Sequence, residues 1–155
     1  MAEVTYHKPV LRDIVQMQEL VLPEVKSGKI LYRSDDEIAT NIRSYTVAKA
    51  QNLIVGFVAL HIHTPTLAEV RSLIVSEKFR GHGIGGKLVD VCKEEAKKLG
   101  VVQLFTLTYE QRFFERLNFT EIPKESLPEH KIWADCVKCK HFPICDEVAL
   151  IYNLS

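Results

Sequence analysis

The sequence predicts a single mixed α/β (α+β) domain, a mostly antiparallel central sheet flanked by helices, and three observations lead there. Two runs rich in Val, Ile and aromatic residues, 45–50 and 53–62, are separated only by Gln51 and Asn52, which is the pattern of a tight hairpin. Leu88, Cys92, Ala96 and Leu99 recur at helical spacing among charged residues, and the pattern stops at Gly100. Strand-like runs resume directly afterwards, so a strand-helix-strand crossover joins the antiparallel part to the rest.

The remaining elements follow in order. Residues 4–7 read as an opening strand before Pro9, and Val10, Ile14, Met17, Leu20 and Val21 then fall at the spacing of an amphipathic helix. Lys26-Ser27-Gly28-Lys29 makes a turn. Ser34 is placed to cap a second helix, with Glu37 completing a capping box and Ile38 and Ile42 as its apolar positions. Thr64-Pro65-Thr66 turns the chain into a strand over 68–75. After the long helix come a buried strand over 102–108, a short helix over 111–117, a strand over 119–122 and a closing strand over 148–154.

A chain of 155 residues without repeats or linkers suits one domain with one core. Lys plus Arg and Asp plus Glu both total 20, so no charge excess steers the molecule toward nucleic acid or an anionic membrane. No basic leader with an apolar run begins the sequence and no stretch matches a bilayer span, from which a cytoplasmic, unexported protein is expected. Exposed edge strands would allow a homodimer.

The chemistry concentrates in Arg80-Gly81-His82-Gly83-Ile84-Gly85-Gly86, between a strand and the long helix. Glycines there strip away side chains, so backbone N–H groups of the first helical turn can approach a ligand, and the helix dipole favours an anion such as a pyrophosphate. The plain alternative is a flexible glycine-rich turn. A Rossmann site is disfavoured because the surrounding elements are not successive βαβ units, and a nucleoside triphosphate loop because Gly-Lys-Ser/Thr is missing.

Arg80, Gly83 and Gly85 match Arg/Gln-x-x-Gly-x-Gly/Ala, and on this motif the sequence resembles the GNAT superfamily of N-acetyltransferases over nearly its whole length. The resemblance implies acetyl-CoA as co-substrate. It places the pantetheine arm along Leu73, Ile74 and Val75, the pyrophosphate on the amides of 80–86, and strands that splay to admit both. Within the superfamily the chain is most similar to the acetyltransferase domain of N-acetylglutamate synthase. The similarity runs through Gly28-Lys29-Ile30-Leu31-Tyr32-Arg33-Ser34, Glu69-Val70-Arg71-Ser72-Leu73-Ile74-Val75, Leu107-Thr108, Phe113-Phe114-Glu115-Arg116-Leu117-Asn118-Phe119 and Leu127-Pro128. Bacterial and animal synthases also carry an amino-acid-kinase-like domain that these residues do not contain, so feedback control through it is not expected.

What the resemblance implies for function is acetylation of an amino-acid α-amine, glutamate favoured, as in arginine biosynthesis. Glu69 matches the carboxylate proposed as general base in similar enzymes; its alternative is a solvated surface glutamate. Strand alternation would put Glu69, Arg71 and Leu73 on one face and Val70, Ser72 and Ile74 on the other. The tyrosine that many relatives use as acid is Phe114 here, and the glycine of the closing Gly-Phe pair is Asn118. Tyr109 is then the nearest hydroxyl, or an ordinary aromatic at a strand end. Glutamate presents two carboxylates, which calls for fixed cations. Arg33 matches an arginine of the synthase pattern, and Arg71 and Lys131 are further candidates, each alternatively a surface charge. Rival readings are another acceptor, whether amino acid, polyamine or protein amine, and a non-catalytic acyl-CoA sensor.

Cys136, Cys139 and Cys145 form a Cys-x2-Cys knuckle with a third cysteine, and His130, His141 or Asp146 could complete a tetrahedral structural zinc site. Free thiols or a reversible disulfide are the other readings.

Overall fold

A computed structural model describes residues 3–127 and 147–154. Among these residues, strands β1 (Val4–His7), β2 (Tyr45–Ala50), β3 (Leu53–Ile62), β4 (Leu67–Val75), β5 (Gln103–Thr108), β6 (Thr120–Ile122) and β7 (Val148–Asn153) form one sheet. Its order is β1-β2-β3-β4-β5-β7-β6, and every pairing is antiparallel except β4 with β5. The mixed, mostly antiparallel sheet expected from the sequence is therefore present.

Helices α1 (Ile14–Lys26) and α2 (Asp35–Thr40) cover one face, and α3 (Ile84–Leu99) and α4 (Gln111–Glu115) the other. Ile14, Met17, Val21 and Ile38 pack with Val47, Phe57, Ala59 and Ile74 on the first side. On the second, Leu88, Val89, Cys92 and Ala96 of α3 pack with Val55, Val58, Leu60 and Val70. Gln51 and Asn52 both have positive φ, the conformation of a type I′ hairpin turn. Ser34 caps α2 as expected: its hydroxyl accepts from the Glu37 N–H while Glu37 reaches back to the Ser34 N–H.

Four expectations about the fold need correction. The first helix begins at Ile14, because Leu11–Asp13 forms a 3-10 turn and Val10 is exposed. Ile42 falls beyond α2 in a separate 3-10 turn. Leu99 is 61% exposed rather than part of the apolar stripe. There the chain reverses at Gly100, the Val101 N–H bonds the Ala96 carbonyl, and Val101 takes the buried position instead, as in a Schellman closure.

The fourth correction concerns the faces of β4. Arg71 pairs with Ala59 and Ile74 with Phe57, so Ser72 and Leu73 together oppose Val58 in a bulge. Ser72 has φ 60°. The bulge shifts the alternation by one residue: Ile74, not Leu73, shares the face of Arg71, and Leu73 and Val75 pack on the α3 side.

Candidate active site

The parallel ladder between β4 and β5 is short. It runs from Leu67 opposite Gln103 to Glu69 opposite Phe105. One residue further, the buried Thr106 hydroxyl donates to the Val70 carbonyl at 2.8 Å, a side chain standing where ladder hydrogen bonds would continue. Past that point a cleft of about 1040 Å³ opens, lined by residues 69–75 of β4 on one side and 106–110 on the other. The α1–α2 connection and the loop before α3 complete its walls. The strands thus splay where the sequence resemblance implies.

Arg80, Gly81, Gly83, Ile84, Gly85 and Gly86 line this cleft, together with Leu73, Ile74 and Val75. Gly83 stands at φ 80° immediately before α3, a left-handed conformation that lets the chain turn from the loop into the helix. No side chain caps this end and no acidic residue occupies its first turn, so the first-turn amides are available to an anion. A Cβ on Gly85 would lie 3.1 Å from the Phe113 ring, so this glycine lets α4 approach α3 closely. The Arg80 guanidinium folds back: its Nε donates to the Val75 carbonyl at 3.1 Å and it pairs with Glu24 at 3.5 Å, tying β4 to α1. His82 is exposed and is not among the lining residues.

Glu69 lines the cleft at the fork and is only 2% exposed, which rules out the solvated-surface alternative. Its Oε1 lies 3.0 Å from His63 Nε2 and 3.9 Å from an Arg71 terminal nitrogen. Arg71 and Arg33 both line the cleft and are largely covered, and Arg33 pairs with Glu37 at 3.7 Å. Burial pushes the nearby Tyr45 phenol above its ordinary pKa, against the opposite pull of Arg71 and Arg33. Tyr109 lines the same cleft, and Phe114 is buried in the core beside Phe113 and Phe119.

Lys131, Cys136, Cys139 and Cys145 lie outside the described residues. Among the described residues no group of three or more His, Cys, Asp or Glu side chains could hold a metal. Cys92 is buried in the core, which raises its pKa to about 12 and keeps it a neutral thiol. Among the same residues no helix is long and apolar enough to cross a membrane.

Residues 41–121 match the acetyltransferase (GNAT) domain family. The chain belongs to this family. The acetyltransferase is 40% identical over 127 residues to an uncharacterized N-acetyltransferase of Chlorobaculum tepidum, spanning 82% of this chain and 81% of that one. It is 34% identical over 124 residues to an amino-acid acetyltransferase of Mycobacterium tuberculosis, spanning 74% and 70%. In fold it is similar to N-acetylglutamate synthase from Neisseria gonorrhoeae, solved with coenzyme A and N-acetylglutamate. That likeness has a TM-score of 0.88 at 21% identity and covers all of this chain but 36% of that one.

Two side chains at or beside the candidate site were not singled out from the sequence. His63 follows an ordinary strand and precedes a Pro turn, and only its contact with Glu69 sets it apart. Thr106 sits inside an apolar run, where an isolated threonine reads as strand propensity; a hydroxyl in an otherwise apolar buried segment was the available signal.

Proposed function

We propose that this N-acetyltransferase transfers the acetyl group of acetyl-CoA to the α-amine of an acidic amino acid, glutamate foremost. The observation that carries the reading is the buried Glu69 carboxylate at the fork of β4 and β5, with Arg33 and Arg71 lining the same cleft. The amino-acid acetyltransferase relative supports the acceptor class, and the coenzyme A of the structural neighbour supports the donor.

Acetyl-CoA supplies an activated thioester. The site fits it: the uncapped first turn of α3 suits the pyrophosphate, and residues 73–75, where β4 has parted from β5, offer main-chain groups to the pantetheine arm. An incoming α-amine arrives largely as ammonium and must lose a proton before it can attack. Glu69 takes that proton, held as a carboxylate by His63 and Arg71 in a place nearly closed to water. Arg33 and Arg71 bind the acceptor's carboxylates, and the backbone N–H near Leu73 or Ile74 steadies the carbonyl oxygen as the C–N bond forms; the C–S bond then breaks, and coenzyme A leaves as a thiolate that takes a proton from Tyr109 or water.

The test is release of free thiol from acetyl-CoA against a panel of amino acids, polyamines and a lysine peptide. Glutamate should be the best acceptor. Glu69→Gln should lower kcat by about a hundredfold or more with acetyl-CoA binding retained. Arg33→Ala should raise the glutamate KM by about tenfold and leave the acetyl-CoA KM unchanged. Saturable turnover of a polyamine or peptide instead would move the acceptor while keeping the chemistry. A protein that binds acetyl-CoA and turns over nothing would be a sensor.

A further inference from the structure

We propose that His63 is a positioning residue for this reaction, acting through Glu69: its hydrogen bond fixes the orientation in which the carboxylate meets the acceptor amine. The proposal rests on the reading of Glu69 as the base.

The imidazole is built into its place. It stands one residue beyond β3, in a turn whose backbone is closed by the His63 and Thr64 N–H groups donating to the Leu67 carbonyl at 3.0 and 3.1 Å. The Thr64 hydroxyl accepts in turn from the Leu67 and Thr66 N–H groups. The His63 side chain is 5% exposed, with its ring 4.7 Å from that of His61 and 5.3 Å from that of Phe105. Phe105 is the residue that pairs with Glu69 across the last rung of the parallel ladder. The ring contacts limit the swing of the imidazole, and its Nε2 lies 3.0 Å from Glu69 Oε1. With Glu69 ionised, that nitrogen carries the proton and donates.

Arg71 approaches the same oxygen from 3.9 Å, an ion-pair distance beyond hydrogen-bond reach, so one hydrogen bond and one opposite charge meet at one carboxylate atom. A buried carboxylate without such partners would take up a proton and cease to be a base. The imidazole reaches the carboxylate from the turn between β3 and β4, two residues beyond His61, which stands opposite Glu69 in the ladder. His63 is not among the residues that line the cleft, which Glu69 does line.

The experiment compares steady-state kinetics of His63→Leu, His63→Gln, Glu69→Gln and the double variant His63→Leu/Glu69→Gln, using acetyl-CoA and the best acceptor of the panel. Each variant's folded state is checked by thermal melting. His63→Leu should lower kcat by about tenfold or more with the acetyl-CoA KM within about twofold of the parent. His63→Gln, whose amide can donate to the same oxygen, should recover most of that loss. In the Glu69→Gln background the His63→Leu change should cost little further. A folded His63→Leu protein with parental kcat overturns the role of His63 while leaving Glu69 in place, as does an equal loss in both backgrounds. Parental turnover of Glu69→Gln, or no turnover of any acceptor by the parent, overturns the function reading and this one with it.

Discussion

Glu69 bears its carboxylate where water scarcely reaches, at a cost of several kcal/mol for an isolated ion that hydrogen bonds and opposite charge must offset. His63 at 3.0 Å and Arg71 at 3.9 Å face it, and neither is its neighbour in sequence. The resemblance picked out Glu69, but its burial could not be read from a strand in which glutamate, arginine and serine stand among apolar residues. Gly83 belongs to the same scale and was legible, because closely spaced glycines before a helix have one common structural use. Its φ of 80° costs an alanine about 1–2 kcal/mol. Since a Cβ there meets no atom within 4 Å, the whole penalty is backbone strain. Gly83→Ala should therefore lose about 1–2 kcal/mol in urea unfolding and also raise the acetyl-CoA KM, because relief of the strain turns the first-turn amides. An alanine variant as stable as the parent would show that the turn relaxes at no cost.

At the scale of elements, strong local signals gave strong readings. The Gln51-Asn52 hairpin, the Ser34 capping box and the stop at Gly100 each depend on a few neighbouring residues, and each is present. The β4 bulge was invisible for the opposite reason: alternation presumes an unbroken ladder, and the extra residue is defined only against β3. Its consequence is that the strand turns between Arg71, on the face of α1 and α2, and Leu73, on the face of α3. The fork has a comparable latch in Thr106, whose hydroxyl serves the Val70 carbonyl just beyond the last ladder pair. Thr106→Val keeps the shape and removes the donor, leaving a buried acceptor without it, at an expected cost of about 1–3 kcal/mol. Thermal melting together with the acetyl-CoA KM checks this. Lost stability with a raised KM is expected; unchanged values for both would mean that the fork holds its geometry without the latch.

Among the described residues the sheet is two antiparallel units, β1 to β4 and β5 with β7 and β6, joined by three paired positions of parallel ladder and by the packing of α3 and α4. The cleft lies along that seam, and its walls come from stretches far apart in the chain, around 24–33, 69–75, 79–86 and 106–116. Such a site is only partly legible from sequence, because motifs mark the separate walls while the seam that unites them is a property of the pairing. A ligand seated in the seam touches both units and stabilises the state in which they are correctly joined, by about 2.7 kcal/mol at a hundred times its Kd. Hydrogen exchange with and without saturating acetyl-CoA tests this directly. Slower exchange is expected in β4 and the start of α3, and also in β5 and α4 across the seam, because opening either unit alone would release the ligand. Protection confined to 80–86 and the first turn of α3 would mean that the donor is held by its pyrophosphate alone and that the fork does not grip the pantetheine arm.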